Sequence, residues 1–200
     1  RGVLHRDIKS DNALIADSGH AVLGDFNAAE WEAQVTADIV MQSRPTGGFF
    51  KQFVVGTLPY MAPELLRPVR GAAYARACDV YSLAITVNEV LTQTVPYSDA
   101  MTEQVQLHTI LEARYNHEAL TVAIASDGLR PAIPDVASLV SPEEQLAATD
   151  VTRLVMIAWA DDAPTRPSMR DLLPRLEAIK LSIFGGAALD ADAFFEASAA

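Results

Sequence analysis

The sequence contains a single cysteine and few basic residues. These two shortages restrict the cellular setting and the partners that we expect for the protein. With Cys78 alone, no intramolecular disulfide can form, so we expect a reducing, intracellular and cytoplasmic setting. There are 26 acidic and 15 basic residues, which give a formal net charge of -11. This charge opposes attraction to a phosphate backbone, and we therefore expect no nucleic acid among the partners.

Long apolar runs are also missing. Charged or polar residues interrupt every stretch before it reaches the roughly 20 apolar residues of a membrane-spanning helix, so no membrane span is expected. Half of the 200 residues are hydrophobic, which is enough for one domain with a real core. The chain starts with Arg1 and not with methionine, and we expect it to be a fragment without a signal peptide.

Chemically useful side chains are concentrated at residues 5–12, with the sequence H-R-D-I-K-S-D-N. Within one tight loop, Asp7 can accept a hydroxyl proton and Lys9 can lie against a phosphoryl group during its transfer. Asn12 and the carboxylate of Asp25 are oxygen ligands suited to magnesium. Taken singly, Asp7 and Asp25 are compatible with ordinary surface carboxylates, and it is the spacing of the motif residues that points to catalysis.

A short β-hairpin is predicted directly after this loop. Two apolar runs, residues 13–16 and 21–23, flank the turn-forming residues 17–20, Asp-Ser-Gly-His. A hairpin of that length folds Asp25 back beside Asn12. The two magnesium ligands can then share one site.

Three motifs in order resemble the catalytic half of the eukaryotic protein kinases. They are H-R-D-x-K-x-x-N at residues 5–12, D-F at 25–26 and G-T-L-P-Y-M-A-P-E at 56–64. The lysine at position 9 resembles the serine/threonine-specific version of the loop. The resemblance covers residues 1–180 as the C-terminal (large) lobe only, followed by an Ala-rich tail at 181–200.

Two further phrases resemble the tyrosine-kinase-like group of serine/threonine kinases. One runs from Trp159 to Arg166-Pro167-Ser168, and the other is Gly128 to Pro134. The implied fold class is mainly α (α+β): a helical, protein-kinase-like large lobe with a small β-hairpin that carries the catalytic and metal-binding loops.

The resemblance implies ATP and magnesium (Mg2+) as cofactors, and a protein substrate with regulatory protein partners. By it, Asp7 would orient and deprotonate the substrate hydroxyl, and Lys9 would neutralise charge on the γ-phosphoryl group of ATP. Asn12 and Asp25 would hold the metal ions that bridge the phosphates. Thr57, in the activation segment, would help to form the wall under the acceptor site.

Other matching residues are implied to support the site structurally: His5, Arg6, Glu64, Asp79 and Arg166. Asp79 would cap the backbone of the 5–12 loop, and Glu64 would pair with Arg166. Arg6 resembles the arginine that receives a phosphorylated activation segment, for which the candidate phosphate carriers are Thr36, Ser43 and Thr46. Asp161 and Asp162 are interpreted as solvated turn carboxylates.

Departures from the family pattern keep other functions open. Asn27 stands where the family has the glycine of D-F-G, Ala84 replaces a second glycine, and a glycine-rich phosphate loop with a strand lysine is not found. A pseudokinase or scaffold that binds protein partners without catalysis is the alternative. A small-molecule phosphotransferase is disfavoured because that group lacks the Gly56 to Glu64 segment.

The remaining elements are expected to be helices and loops. Long loops are predicted over residues 26–60 and 116–148. Short and central helices are predicted at 63–66 and at 79–91, the second buried on most sides. A third helix is predicted after an N-cap at Ser98 or Asp99, with Leu107, Ile110, Leu111 and Tyr115 on one face. Two more are predicted, one after Thr149 or Asp150 with an apolar stripe from Val151 to Trp159, and one after Ser168 with Asp171 as its capping partner.

Overall fold

The computed structural model describes residues 2–35, 55–67, 74–98, 117–139 and 141–185. The predicted fold class is confirmed, because this part of the chain is mainly helical with two small antiparallel strand pairs. Its strands are β1 (Val3–Leu4), β2 (Ala13–Ile15), β3 (Ala21–Leu23) and β4 (Glu30–Trp31). Its labelled helices are α1 (Pro63–Leu66), α2 (Arg76–Thr92), α3 (His117–Ala125), α4 (Pro142–Ala158) and α5 (Met169–Gly185), and a further helical turn begins at Glu32.

The predicted hairpin is confirmed as the β2–β3 pair. Ala13 pairs with Leu23, and Ile15 pairs with Ala21. Gly19 occupies the turn at φ +78°, where a residue without Cβ is favoured. The second pair, β1 with β4, was not predicted, because two-residue strands are too short to show an alternating pattern.

The core is built around α2, as its apolar sequence predicted. Buried side chains on several faces of α2 pack with side chains of α4 and α5: Val80, Tyr81, Ala84, Ile85, Leu154, Val155, Leu172 and Ile179. Fully burying one leucine or isoleucine contributes about 1.5–3 kcal/mol. A second, smaller cluster joins Leu58 to Tyr97 and to Leu120 and Ile124 of α3.

The loop prediction for 116–148 is wrong at both ends. Residues 117–125 form α3, whose mostly small and apolar side chains give only a weak amphipathic pattern. α4 starts at Pro142, where the Ser141 hydroxyl accepts a hydrogen bond from the Glu144 N–H at 3.3 Å. Proline suits the first position of a helix, so Ser141 is the cap, and Thr149 and Asp150 lie inside the helix instead.

The predicted start of the last helix is confirmed. The Asp171 carboxylate accepts hydrogen bonds from the Ser168 N–H at 3.0 Å and from its hydroxyl at 2.5 Å. α5 continues through Gly185, five residues into the predicted tail, and the rest of that tail lies outside the described residues. The body of the helix predicted after Ser98, with its stripe from Leu107 to Tyr115, also lies outside them. The predicted 26–60 loop contains β4 and two short 3-10 turns, Phe26–Ala28 and Leu58–Tyr60.

A membrane span was not expected from the sequence. In the part of the chain that the structure describes, no helix combines the length and the apolar character needed to cross a bilayer.

Candidate active site

The backbone of the 5–12 loop is held by Asp79, from the first turn of α2. One carboxylate oxygen accepts the His5 N–H at 2.7 Å, and the other accepts the Arg6 N–H at 2.9 Å. Arg6 has φ +67°, a left-handed conformation that costs of order 1–3 kcal/mol for a residue with a side chain. The two charge-assisted hydrogen bonds offset that cost and fix the loop on the core helix.

His5 links the loop to the segment after the hairpin. It is buried, its Nε2 lies 2.9 Å from the Gly24 carbonyl oxygen, and its ring meets Phe26 edge-on at 4.8 Å between centroids. Nδ1 accepts a long hydrogen bond of 3.4 Å from the Asp7 N–H. These contacts use both ring nitrogens, so His5 is placed to support the loop.

Asp7, Lys9 and Thr57 form a closed triangle of polar contacts. The Thr57 hydroxyl donates to Asp7 Oδ1 at 2.8 Å and accepts from Lys9 Nζ at 2.8 Å, while Nζ lies 3.2 Å from Asp7 Oδ2. Burial acts to raise the pKa of Asp7, but hydrogen bonds from Thr57 and Lys9 and the lysine charge outweigh it, so the pKa falls below the ordinary 3.8. Asp7 is therefore an ionised acceptor at neutral pH.

Asn12 completes the surroundings of Asp7 and lies at the base of the hairpin. Its Nδ2 donates to the Asp7 carbonyl oxygen at 2.8 Å and to Oδ2 at 3.3 Å, which leaves the amide oxygen to serve as a cation ligand. The Gly24 N–H donates to the Asn12 carbonyl at 2.8 Å, so Asp25 follows directly beside it. Asp25 is exposed, and its Oδ1 accepts a weak hydrogen bond from the Asn27 N–H at 3.4 Å.

Asn12 and Asp25 fit a magnesium ion that is shared with phosphates. Magnesium typically takes one or two protein oxygen ligands and completes its shell with water and phosphate oxygens. Within the described ranges, no group of three or more His, Cys, Asp or Glu side chains forms a metal cage. Asn12 and Asp25 would supply two oxygen ligands to such an ion, and the remaining ligands would come from elsewhere.

Gly56 brings the activation segment against the 5–12 loop. It has φ +122°, and a Cβ at this position would lie 2.7 Å from the Arg6 carbonyl oxygen. Both observations require glycine here. Gly56 was not predicted to be a site residue, although its place at the start of the 56–64 motif was the available signal.

Glu64 and Arg166 meet as the sequence analysis expected. Arg166 donates two hydrogen bonds of 2.7 Å to the Glu64 carboxylate. Burial acts to raise the pKa of Glu64, but the hydrogen bonds and charge of Arg166 outweigh it and lower the pKa. The pair fixes the segment that follows Thr57.

Comparison with known proteins identifies the family. The model of the protein kinase domain matches residues 1–175. This chain is a member of the protein kinase family. It is 41% identical over 186 residues to a protein kinase and PP2C-like domain-containing protein of Oryza sativa subsp. japonica, covering 91% of this chain and 27% of that protein.

Other relatives agree on the family. The corresponding protein kinase and PP2C-like domain-containing protein of Arabidopsis thaliana is 40% identical over 183 residues, covering 89% of this chain and 26% of that protein. Mitogen-activated protein kinase kinase kinase 1 of Homo sapiens is 34% identical over 134 residues, covering 66% of this chain and 7% of that protein. The predicted family is confirmed, and the chain spans only a minor part of each of these relatives.

Two of the departures from the kinase pattern, Asn27 and Ala84, are accommodated locally. Asp25 has φ +51°, whereas Asn27 is not among the residues with positive φ in the described part of the chain. Glycine's conformational freedom is therefore not needed at position 27 in this conformation. Ala84, on α2, is buried in the core cluster that includes side chains of α4 and α5, where a small side chain is accommodated.

The side chain of Arg6 lies between two segments of the kinase domain. Its Nε donates to the Ala28 carbonyl oxygen at 2.5 Å, and its guanidinium lies over the Tyr74 ring, 5.4 Å from the centroid. The candidate phosphate carriers Thr36, Ser43 and Thr46 lie outside the described residues. The predicted phosphate contact of Arg6 stays a prediction.

Two long-range contacts were missed from the sequence. The Tyr60 hydroxyl donates to Glu89 Oε2 at 2.8 Å, and burial raises the pKa of this tyrosine. Asp161 is exposed, as expected of a solvated turn carboxylate, but it also accepts two hydrogen bonds of 2.6 Å from Arg67 and lies 3.5 Å from Arg130. No short-range sequence pattern predicts a partner 94 positions away.

Proposed function

We propose that, in the complete parent protein, this domain transfers the γ-phosphoryl group of ATP to serine or threonine hydroxyls of a protein substrate. The observation that carries the proposal is the triangle of Asp7, Lys9 and Thr57 beside Asn12. It places an ionised acceptor, a cation and an amide ligand within one small site. Family membership supports the use of ATP and Mg2+ in general terms.

In the proposed mechanism, Asp7 is the base. A substrate hydroxyl within about 2.6–3.2 Å of an Asp7 carboxylate oxygen would give up its proton as its oxygen bonds to the γ-phosphorus. The bond from that phosphorus to the β-bridging oxygen breaks, and ADP leaves with its electron pair. Lys9 neutralises charge on the moving phosphoryl group, so catalysis rests on positioning and electrostatics.

Asn12 and Asp25 are the residues that would hold the metal. When bound there, Mg2+ would neutralise the charge on the ATP phosphates. Asn12 is also tied to Asp7 through its amide nitrogen, so one side chain would align the metal with the base. This double role is consistent with the burial of Asn12, which is 7% exposed.

We further propose that residues 1–180 are the large lobe of a tyrosine-kinase-like serine/threonine kinase, with 181–200 as a tail. The hairpin supports a larger assembly around the nucleotide, because Leu14, Ile15 and Val22 are 55%, 73% and 46% exposed. Apolar side chains on both faces of a two-stranded hairpin are unusual unless another part of the protein covers them. The 200 residues alone are expected to have negligible kinase activity.

The test compares the parent protein with its Asp7→Asn variant, using magnesium-ATP and a generic protein acceptor. Asp7→Asn should abolish transfer, because an amide cannot accept the proton. Asp11→Asn is the matched control, since Asp11 is an exposed acid in the same loop and should keep activity. Equal transfer by the parent and by Asp7→Asn would contradict the proposal.

A pseudokinase or scaffold is the second candidate. It is favoured by the exposed Asp25, whose carboxylate is bonded to its own turn at Asn27. A protein of this kind would bind regulatory partners without catalysing a reaction. Thermal unfolding of the parent decides between the two: a magnesium-dependent shift with ATP supports the kinase, and no shift supports the scaffold.

A further inference from the structure

Tyr74 is a half-buried residue shortly before α2, and its hydroxyl makes two hydrogen bonds to Val55. It accepts from the Val55 N–H at 2.7 Å and donates to the Val55 carbonyl oxygen. Burial raises the pKa of Tyr74, so the hydroxyl keeps its proton at neutral pH and remains able to donate. One side chain therefore holds both backbone polar groups of Val55.

The ring of the same tyrosine lies against the 5–12 loop. The Arg6 guanidinium is 5.4 Å from the ring centroid, within the range of a cation–π contact. Arg6 directly precedes Asp7, and Val55 lies two positions before Thr57. Tyr74 thus contacts both chain segments that carry the Asp7–Thr57 hydrogen bond.

These two segments have little freedom between them. Gly56 follows Val55, and its backbone is so close to the Arg6 carbonyl that a Cβ would lie 2.7 Å from that oxygen. Thr57 then donates to Asp7 at 2.8 Å. A shift of Val55 would therefore be passed on to the Thr57 hydroxyl within two residues.

We infer that Tyr74 is a positioning residue for phosphoryl transfer, which sets the approach of Thr57 to Asp7 by clamping Val55 and stacking on Arg6. The inference rests on the proposed function and adds to it a residue that touches neither the base nor the metal ligands. Asn12 and Asp25 are positioned by the hairpin instead. Loss of the Tyr74 hydroxyl should therefore impair transfer more than nucleotide binding.

The test is Tyr74→Phe in the complete parent protein, which removes both hydrogen bonds and keeps the ring over Arg6. We expect kcat to fall by roughly ten- to a hundredfold, because small misplacements of positioning groups cost that much, with little change in KM for ATP. Hydrogen–deuterium exchange of a peptide that begins at least two residues before Val55 and ends at Ala62 should become faster, since the Val55 N–H loses its acceptor.

Tyr81→Phe is the matched control. The Tyr81 hydroxyl is buried and lies 3.3 Å from the Tyr97 hydroxyl, and its bond is to neither the 5–12 loop nor Val55, so its removal should leave kcat and the exchange of residues 55–62 unchanged. A kcat of Tyr74→Phe within about twofold of the parent, or equal kcat losses in both variants, would overturn the inference. If the parent shows no Asp7-dependent transfer, the proposed function fails. Unchanged hydrogen–deuterium exchange in Tyr74→Phe would then also overturn the inference that Tyr74 holds Val55 in place.

Discussion

Glu64 and Arg166 lie 102 positions apart and form two parallel hydrogen bonds, each 2.7 Å long. The Arg166 side chain is wholly inaccessible to solvent. It also donates to the carbonyl oxygens of Ala77 at 3.0 Å and Ala160 at 2.8 Å. One buried cation therefore joins the segment after Thr57 to the start of α2 and to the end of α4.

Removing this cation should destabilise the domain strongly. In Arg166→Met, the Glu64 carboxylate stays in a largely buried site without its partner. Breaking a buried pair in this way costs about 3–5 kcal/mol. Urea unfolding of the parent protein measures the loss in free energy of unfolding.

Arg76→Met is the control for that measurement. Arg76 lies 2.6 Å from Glu32 in a pair of the same chemistry, but its side chain is 68% exposed. An exposed pair contributes only about 0–1 kcal/mol, so this variant should lose little stability. Similar losses of unfolding free energy in the two arginine variants would show that burial does not determine how much the Glu64–Arg166 pair stabilises the fold.

The contribution of Glu64 should depend on pH. Because its pKa in the folded protein is lowered from 4.5, its ionisation stabilises the fold above the unfolded pKa, and this stability is lost as pH falls through the folded pKa. The difference in unfolding free energy between the parent and Glu64→Gln should therefore be full at neutral pH and shrink below pH 4.5. A difference that stays constant down to acidic pH would contradict this account.

Thr57 should help to set the pKa of Asp7, the proposed base. Thr57→Val removes the hydrogen bond that helps to lower the pKa of Asp7 below 3.8. The pKa of Asp7 should rise, so the acidic limb of the pH profile of kcat/KM in the parent protein should move to higher pH. Thr57→Ser keeps the hydroxyl and should keep the limb in place; an unmoved limb in Thr57→Val would show that Asp7 does not set it.

Much of the site could be predicted because its residues are close in sequence. Asp7, Lys9 and Asn12 fall within one loop, and the turn at 17–20 shows how Asp25 returns beside Asn12. The central helix α2 could be predicted as well, since apolar residues occupy nearly every face of its sequence. The spacing of residues within short stretches is enough to predict these features, whatever the tertiary packing.

The missed features depend on packing instead. In residues 117–125, Leu120 and Ile124 reach a core that includes Tyr97, but the short segment itself shows only a weak amphipathic pattern. The Arg67–Asp161 pair exists only because the folded chain brings these residues together. Contacts of this kind follow from tertiary structure and leave no short-range signal.

Gly56 should be intolerant of any side chain. In Gly56→Ala, the new Cβ would lie 2.7 Å from the Arg6 carbonyl oxygen at φ +122°, so the segment carrying Thr57 must move away from Asp7. We expect kcat of the parent protein to fall by roughly a hundredfold. Gly19→Ala, at φ +78° with nothing within 4 Å, should cost only about 1 kcal/mol of stability and leave kcat unchanged. Retained activity in Gly56→Ala would mean that the contact with Arg6 does not position Thr57.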